Sequence, residues 1–313
     1  MNKITVIGSG NVGSTIAYTL TVMGIASEIV MIDVNEEKSL GEALDIRQGV
    51  SFCAPASVYA GSYDDAKDSD IVVITSGMAR KPGQSRLDLA QANVDIIKSI
   101  ADKIVPVAPN ATYVIVSNPV DVLTYVFLKH TGLPQERVIG SGTVLDTARL
   151  RSRISEYYSI NQKNVHAYVL GEHGDSSFVP WSFANISNVP IENFKDAIQT
   201  CETYPEFVMD EVEEYMRKSG SRIIQRKGAT FYAVSISVCH ICKCLLSGID
   251  TTLTVSTMLN GEYGIEDVCL SLLNVVGAKG AHAKVMLPLN EEEVAALHNS
   301  ARILKELMNG LNI

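Results

Sequence analysis

Cysteine is scarce in this chain, six in 313 residues, which excludes a disulfide scaffold. Long apolar runs are missing as well, so no stretch reads as a helix spanning a bilayer. Positive charge is in deficit: 26 Lys and Arg stand against 35 Asp and Glu, for a net charge of −9. Phosphate contacts need a basic face, so nucleic acid is not an expected partner. The first residues enter an apparent strand at once and lack the layout of a signal peptide, which makes the cytoplasm the expected compartment. Charged residues make up 19% and apolar ones 46%, a globular composition without the low hydrophobicity of disorder. There is no internal repeat and no low-complexity segment. Cys239, Cys242 and Cys244 do cluster around His240, but positions i, i+3 and i+5 of a helix do not converge on a tetrahedral metal. The surrounding Phe231–Leu246 run reads as a buried helix of small residues, and no metal site is expected.

What is present is an alternation. Short β-branched runs at Ile4–Ile7, Glu28–Ile32, Ile71–Thr75, Tyr113–Ser117 and Val138–Gly140 predict strands. Between them, Gly13–Met23, Glu37–Gly49, Leu87–Val105 and Val120–His130 predict helices. Strand and helix in alternation argue for an α/β fold with a doubly wound parallel sheet, its strands apolar on both faces because helices cover each side. The second half differs. It offers a helix over Val144–Tyr158, a strand over Val165–Leu170 and one long charged helix containing Glu211, Glu213, Glu214, Arg217 and Lys218. Extended segments near Thr252–Met258, Val268–Val276 and Val285–Leu289 follow, then a last helix over Glu291–Leu311 with acids in its first turn. The expectation is a nucleotide-binding domain over 1–142 and an α+β substrate domain over 143–313.

Three constellations carry chemistry. Gly8-Ser-Gly10-Asn11-Val12-Gly13 follows the first strand and opens the first helix, where glycines permit a tight turn and let a pyrophosphate reach backbone N–H groups. Asp33 ends the second strand, where a carboxylate accepts from a ribose 2′-hydroxyl and repels a 2′-phosphate, which favours NAD over NADP. Thr75, Gly77 and Ser117, at or just after later strand ends, complete the candidate cofactor contacts. The alternative is a plain structural turn with a solvated aspartate.

His173 lies in Gly171-Glu-His-Gly-Asp175 and is the side chain best suited to exchange a proton near neutral pH. Asp146 is a candidate to orient it. Arg149, one helical turn on, can grip a carboxylate through two parallel bonds; the alternative is an i,i+3 surface ion pair. Finally, Gly77–Arg86 sets three cations, Arg80, Lys81 and Arg86, within seven residues. With Gly77 and Gly83 as hinges, such a loop can close over an anion.

Together these motifs resemble the L-lactate/malate dehydrogenase superfamily over essentially the whole chain, which implies a Rossmann-type first domain. The resemblance makes His173 the acid/base, Asp146 its partner, Arg149 the carboxylate clamp and Arg86 the residue that polarises the substrate carbonyl. It places a cofactor- and substrate-contacting asparagine at Asn118 and implies a homotetramer. The substrate stays divided. Arg80 stands where lactate enzymes usually carry glutamine and malate enzymes arginine, so it argues for a second substrate carboxylate. Thr230 in Lys227-Gly-Ala-Thr, the Asp175–Ser182 segment and the Gly261–Ser271 segment resemble the lactate branch. Arg151 and His166 resemble the fructose 1,6-bisphosphate site of allosteric bacterial members; alternatively Arg151 pairs with a carboxylate such as Glu156. The expected activity is NAD-dependent L-lactate dehydrogenase. Malate dehydrogenase is the second reading, and a non-enzymatic NAD-binding sensor or structural protein the remote one.

Overall fold

The computed structural model describes residues 2–78, 85–198 and 204–313, with only the main chain described at Arg86. Strands and helices alternate first: β1 (Lys3–Ile7), α1 (Asn11–Val22), β2 (Glu28–Ile32), α2 (Glu36–Gly49), β3 (Ser57–Ala60), β4 (Ile71–Ile74), α3 (Arg86–Ile104), β5 (Thr112–Ile115), α4 (Val120–Thr131) and β6 (Val138–Gly140). Then come α5 (Val144–Tyr158), β7 (Val165–His166), β8 (Asn185–Ile186), β9 (Val189–Pro190), α6 (Ile191–Ala197), α7 (Met209–Arg217), α8 (Ser219–Lys227) and α9 (Tyr232–Leu245). The chain closes with β10 (Thr251–Leu253), β11 (Ser256–Asn260), β12 (Glu266–Ser271), β13 (Asn274–Gly277), β14 (Gly280–Lys284) and α10 (Glu291–Asn309).

β1 to β6 pair in parallel in the order β3-β2-β1-β4-β5-β6. Their side chains alternate between two cores, as a period of two requires. In β4, Val72 and Ile74 join Val94, Phe127 and Leu304 on one face. Ile71 and Val73 join Ile16, Leu20, Val238 and Ile241 on the other. Each fully buried aliphatic side chain of this kind contributes roughly 1.5–3 kcal/mol. The strand order reverses between β1 and β4, and a crevice opens there at the carboxyl ends of the strands.

Five departures from the sequence expectations shape the fold around the site. β3 was not expected: its Ser-Val-Tyr-Ala is an edge strand in which only Val58 is fully buried, so it lacks an apolar run. The large sheet is mixed rather than purely parallel, because β11 and β12 from the second half extend it antiparallel beyond β6. Ser256 pairs with Gly140, where an added Cβ would stand 2.9 Å from that of Ser256, so the glycine admits the new strand. The charged helix splits into α7 and α8 at Lys218, where Ser-Gly-Ser supplies weak helix formers. Val285–Leu289 forms no strand: Val285 N–H still reaches the Leu273 carbonyl, but Pro288 has no N–H and Leu289 turns back to Leu287.

The fifth departure positions the site. The strand expected over Val165–Leu170 stops at His166, because α5 takes over the main chain beyond it. Thr143 donates to the Val169 carbonyl (2.5 Å), Thr147 accepts the Val169 N–H (3.0 Å), and Arg151 Nε donates to the Ala167 carbonyl (3.0 Å). Spaced four residues apart, these three side chains lie on one helix face. They fix the register between α5 and the segment that leads to His173.

Candidate active site

The crevice is built for a diphosphate. Gly8, at φ +103°, makes the turn after β1. An added Cβ at Gly13 would stand 1.7 Å from the Gly8 carbonyl oxygen, so α1 enters directly against that turn. A Cβ at Gly10 would meet nothing within 4 Å. Packing therefore requires a glycine at 13, whereas at 10 the missing side chain leaves open space over the N-terminus of α1, where unpaired N–H groups attract an anion. Asn11 and Val12 begin that helix. Thr75 secures the turn by donating to the Gly8 carbonyl at 3.0 Å. Asp33 is fixed by the N–H groups of Ser9 (2.6 Å) and Asn35 (2.9 Å), one on each carboxylate oxygen. Gly8, Gly10, Asp33, Thr75 and Gly77 converge on one cleft of about 820 Å³. Open space at Gly10, a helix N-terminus and a fixed carboxylate suit a dinucleotide without a 2′-phosphate.

The second centre joins residues 27 positions apart. His173 Nδ1 donates to Asp146 Oδ2 at 2.5 Å, while Asp146 Oδ1 accepts from Arg149 Nη1 at 2.9 Å. The i,i+3 pair is thus part of the site and is not a surface bridge: the Asp146 side chain is 9% exposed and that of Arg149 17%. Burial opposes charge on His173, yet the Asp146 carboxylate and its hydrogen bond, with a further push from Asp121, carry the imidazole up to about 9. Burial alone would raise Asp146, but His173 and Arg149 hold it below the ordinary carboxylate range. The bond to Asp146 engages Nδ1–H and leaves Nε2 as the ring nitrogen available for proton exchange.

Two residues of this region carried no sequence signal. Buried Asn93, on α3, accepts the Met78 N–H (2.8 Å) and donates to the Asn118 carbonyl (2.8 Å). Buried Asp121, in the first turn of α4, accepts the main-chain N–H of His173 at 2.8 Å. Neither belongs to a motif by spacing, since each acts across the fold.

The remaining sequence candidates divide. Asn118 is exposed just before Pro119, with its carbonyl tied to Asn93. The Ser117 hydroxyl is committed to the Ser76 carbonyl at 2.6 Å. Thr230 is half-buried between α8 and α9. It is Gly220 of α8 that approaches the clamp, its added Cβ standing 3.8 Å from Arg149 Nη2. The suggested Arg151–Glu156 pairing does not form: Glu156 pairs with Arg153 at 2.9 Å, because Arg151 has turned to Ala167. His166 is exposed on β7. Cys239 and Cys242 are core residues whose thiols burial pushes upward, to about 12 for Cys239. Arg80, Lys81 and Gly83 lie outside the described residues, as does the side chain of Arg86, whose main chain opens α3.

Residues 2–140 match the family model of the lactate/malate dehydrogenase NAD binding domain, and residues 143–312 that of the lactate/malate dehydrogenase alpha/beta C-terminal domain. The chain is 46% identical to the L-lactate dehydrogenase of Thermoanaerobacter pseudethanolicus over 100% of both chains. It is 43% identical to that of Acetivibrio thermocellus, covering 100% of this chain and 98% of the relative. Among solved structures, a lactate dehydrogenase from a Medee basin deep-sea metagenome library superposes with a TM-score of 0.94 at 40% identity, covering 99% of this chain and 98% of that one. The minor L-lactate dehydrogenase of Enterococcus mundtii, in its ligand-bound form, superposes with a TM-score of 0.93 at 36% identity over 98% of each chain.

Proposed function

The chain belongs to the lactate/malate dehydrogenase family, and from that premise we propose that it is an NAD-dependent L-lactate dehydrogenase, converting pyruvate, NADH and a proton to L-lactate and NAD. The observation that carries this reading is the Arg149–Asp146–His173 chain of contacts, in a chain that also carries a cleft suited to a dinucleotide. NADH supplies the hydride that reaches C2 of pyruvate. Arg149 grips the substrate carboxylate. His173, already protonated beside Asp146, gives its Nε2 proton to the carbonyl oxygen. Arg86 polarises that carbonyl and stabilises the charge growing on its oxygen. In the reverse direction neutral His173 takes the hydroxyl proton, and Asp146 stabilises the cation that results. Asn118 contacts cofactor and substrate, and Thr230 narrows the pocket.

Arg80 supports a second activity. A guanidinium closed against the methyl of pyruvate would be left without a partner, at a cost of about 1–3 kcal/mol if it cannot reach water. The second carboxylate of oxaloacetate would supply one. The relatives named L-lactate dehydrogenase favour pyruvate as the main substrate, with oxaloacetate as a secondary one. Comparison of kcat/KM for the two keto acids with NADH tests this: a strong preference for oxaloacetate would overturn it. Arg80→Gln should depress oxaloacetate use far more than pyruvate use.

Regulation and assembly follow the same reading. The enzyme is a cytoplasmic homotetramer of fermentative glycolysis, activated by fructose 1,6-bisphosphate at Arg151 and His166. The bond from Arg151 to Ala167, next in the chain to His166, supports this by setting the two side chains on adjoining segments. Assays of pyruvate reduction with and without the bisphosphate, in the parent chain and in His166→Ala, test it. Activity indifferent to the bisphosphate would remove the allosteric assignment and leave the dehydrogenase standing.

A further inference from the structure

Among the buried acids of the described residues, Asp121 bonds to the candidate acid–base histidine yet takes no part in the hydride transfer. Asp121 is 2% exposed and sits in the first turn of α4, two residues after Pro119. Its Oδ2 accepts the main-chain N–H of His173 at 2.8 Å, and its Oδ1 accepts the Ser256 hydroxyl of β11 at 2.6 Å. A carboxylate so enclosed is costly unless both oxygens are bonded and a cation lies near. Here the N–H and hydroxyl satisfy the oxygens, and the nearby cation is the His173 imidazolium. We propose that Asp121 is a second carboxylate serving the acid–base histidine, holding its main chain in place and adding negative charge beside the imidazolium.

Geometry separates the work of the two carboxylates. Asp146, on α5, takes the ring N–H and sets the tautomer. Asp121, on α4, takes the main-chain N–H and sets where the residue stands. It also binds the histidine to the helix that begins beside Asn118, and through Ser256 to the strand that extends the large sheet. The charged groups that act on His173 are Asp146 and Arg149 from α5 and Asp121 from α4, while its chain neighbour Glu172 acts on Asp121. Asp146 and Asp121 raise the imidazole, while burial and Arg149 lower it. Burial pushes Asp121 itself up to about 6, although its bonds to Ser256 and His173 pull the other way. The two donors on its oxygens and the imidazolium beside it favour its ionised form. The buried Cys269 thiol also faces Asp121, but burial and that carboxylate keep it neutral.

The inference rests on the proposed dehydrogenase reaction, and its test separates the two. The parent chain, D121N and S256A are followed by kcat/KM for pyruvate against pH at saturating NADH, with thermal unfolding measured in parallel. Pyruvate reduction needs the imidazolium, so kcat/KM falls as pH rises through the His173 midpoint. D121N is expected to move that fall to lower pH by about one unit, as loss of a neighbouring opposite charge should. The rise of lactate oxidation should move by the same amount. S256A keeps the charge and should lose thermal stability with the midpoint in place. A folded D121N whose midpoint has not moved would overturn the proposal. If D121N does not fold, Asp121→Ser, which leaves room for a water, takes its place with the same two outcomes. Failure of both variants to fold would make Asp121 architectural and would also overturn the proposal. Absence of pyruvate turnover in the parent chain would instead sink the dehydrogenase reading.

Discussion

Asn93 and Asn118, 25 residues apart, are joined by a 2.8 Å hydrogen bond from the Asn93 amide to the Asn118 carbonyl. The same Asn93 side chain accepts the N–H of Met78. One buried amide thus ties the residue after Gly77 to the Ser117–Asn118 turn, with the Ser117–Ser76 bond beside it. Asn93→Ala would leave a buried donor and acceptor unpaired, at about 1–3 kcal/mol of stability. We expect kcat/KM for pyruvate to fall about tenfold. Thermal melts and steady-state rates check this, and parent-like rates in a folded N93A would show that the tie does not position the site.

Asp146→Asn removes the charge that faces the imidazole while keeping its shape. The imidazolium loses its main support, and pyruvate kcat/KM should fall by at least about a hundredfold near neutral pH. The midpoint of its pH profile should drop as well. NADH binding, followed by fluorescence, should change little because the dinucleotide cleft is elsewhere. His173→Ala should abolish turnover with NADH binding retained. Unchanged turnover in either variant would refute the acid–base assignment.

The ion pair also makes stability depend on pH. His173 holds its proton more tightly in the folded chain, with a pKa of about 9 against 6.5 for an unperturbed imidazole. Its contribution is therefore complete below about pH 6.5 and is lost as pH rises through about 9. Asp146 is lowered, so its contribution is present above the ordinary carboxylate pKa and is lost on acidification. The ligand-free protein should lose thermal stability between pH 6.5 and 9 by more than His173→Gln does. Parallel curves for the two would contradict the coupling.

Two glycines of one motif should differ in whether their loss costs stability. Gly13→Ala drives a Cβ to 1.7 Å from the Gly8 carbonyl and should lower both thermal stability and NADH affinity. Gly10→Ala meets no atom within 4 Å. It should fold with parent-like stability yet bind NADH roughly tenfold more weakly, because the methyl occupies the diphosphate's approach. Equal NADH affinity in Gly10→Ala and the parent would place the diphosphate elsewhere.

Local chemistry made much of this molecule legible in its sequence. The glycines before α1 owe their place to near neighbours, Gly13 packing against Gly8, and near neighbours are what a sequence displays. The alternation of apolar strands with helices likewise named the α/β class, since burial on both faces leaves no polar alternation. The Val165–Leu170 segment misled because its continuation depends on partners: Thr143, Thr147 and Arg151 take its main-chain groups, and only packing decides which donor reaches a carbonyl first.

Residue types and spacing alone pointed to the dinucleotide turn and marked His173, Asp146 and Arg149 as candidates. Tertiary structure alone decided that Asp146 meets His173, that β11 lies against β6, and that Asn93 and Asp121 stand behind the site. The reason is physical: a buried polar group must find a partner with fixed geometry, and that partner can come from any part of the chain that the packed core brings within hydrogen-bond reach.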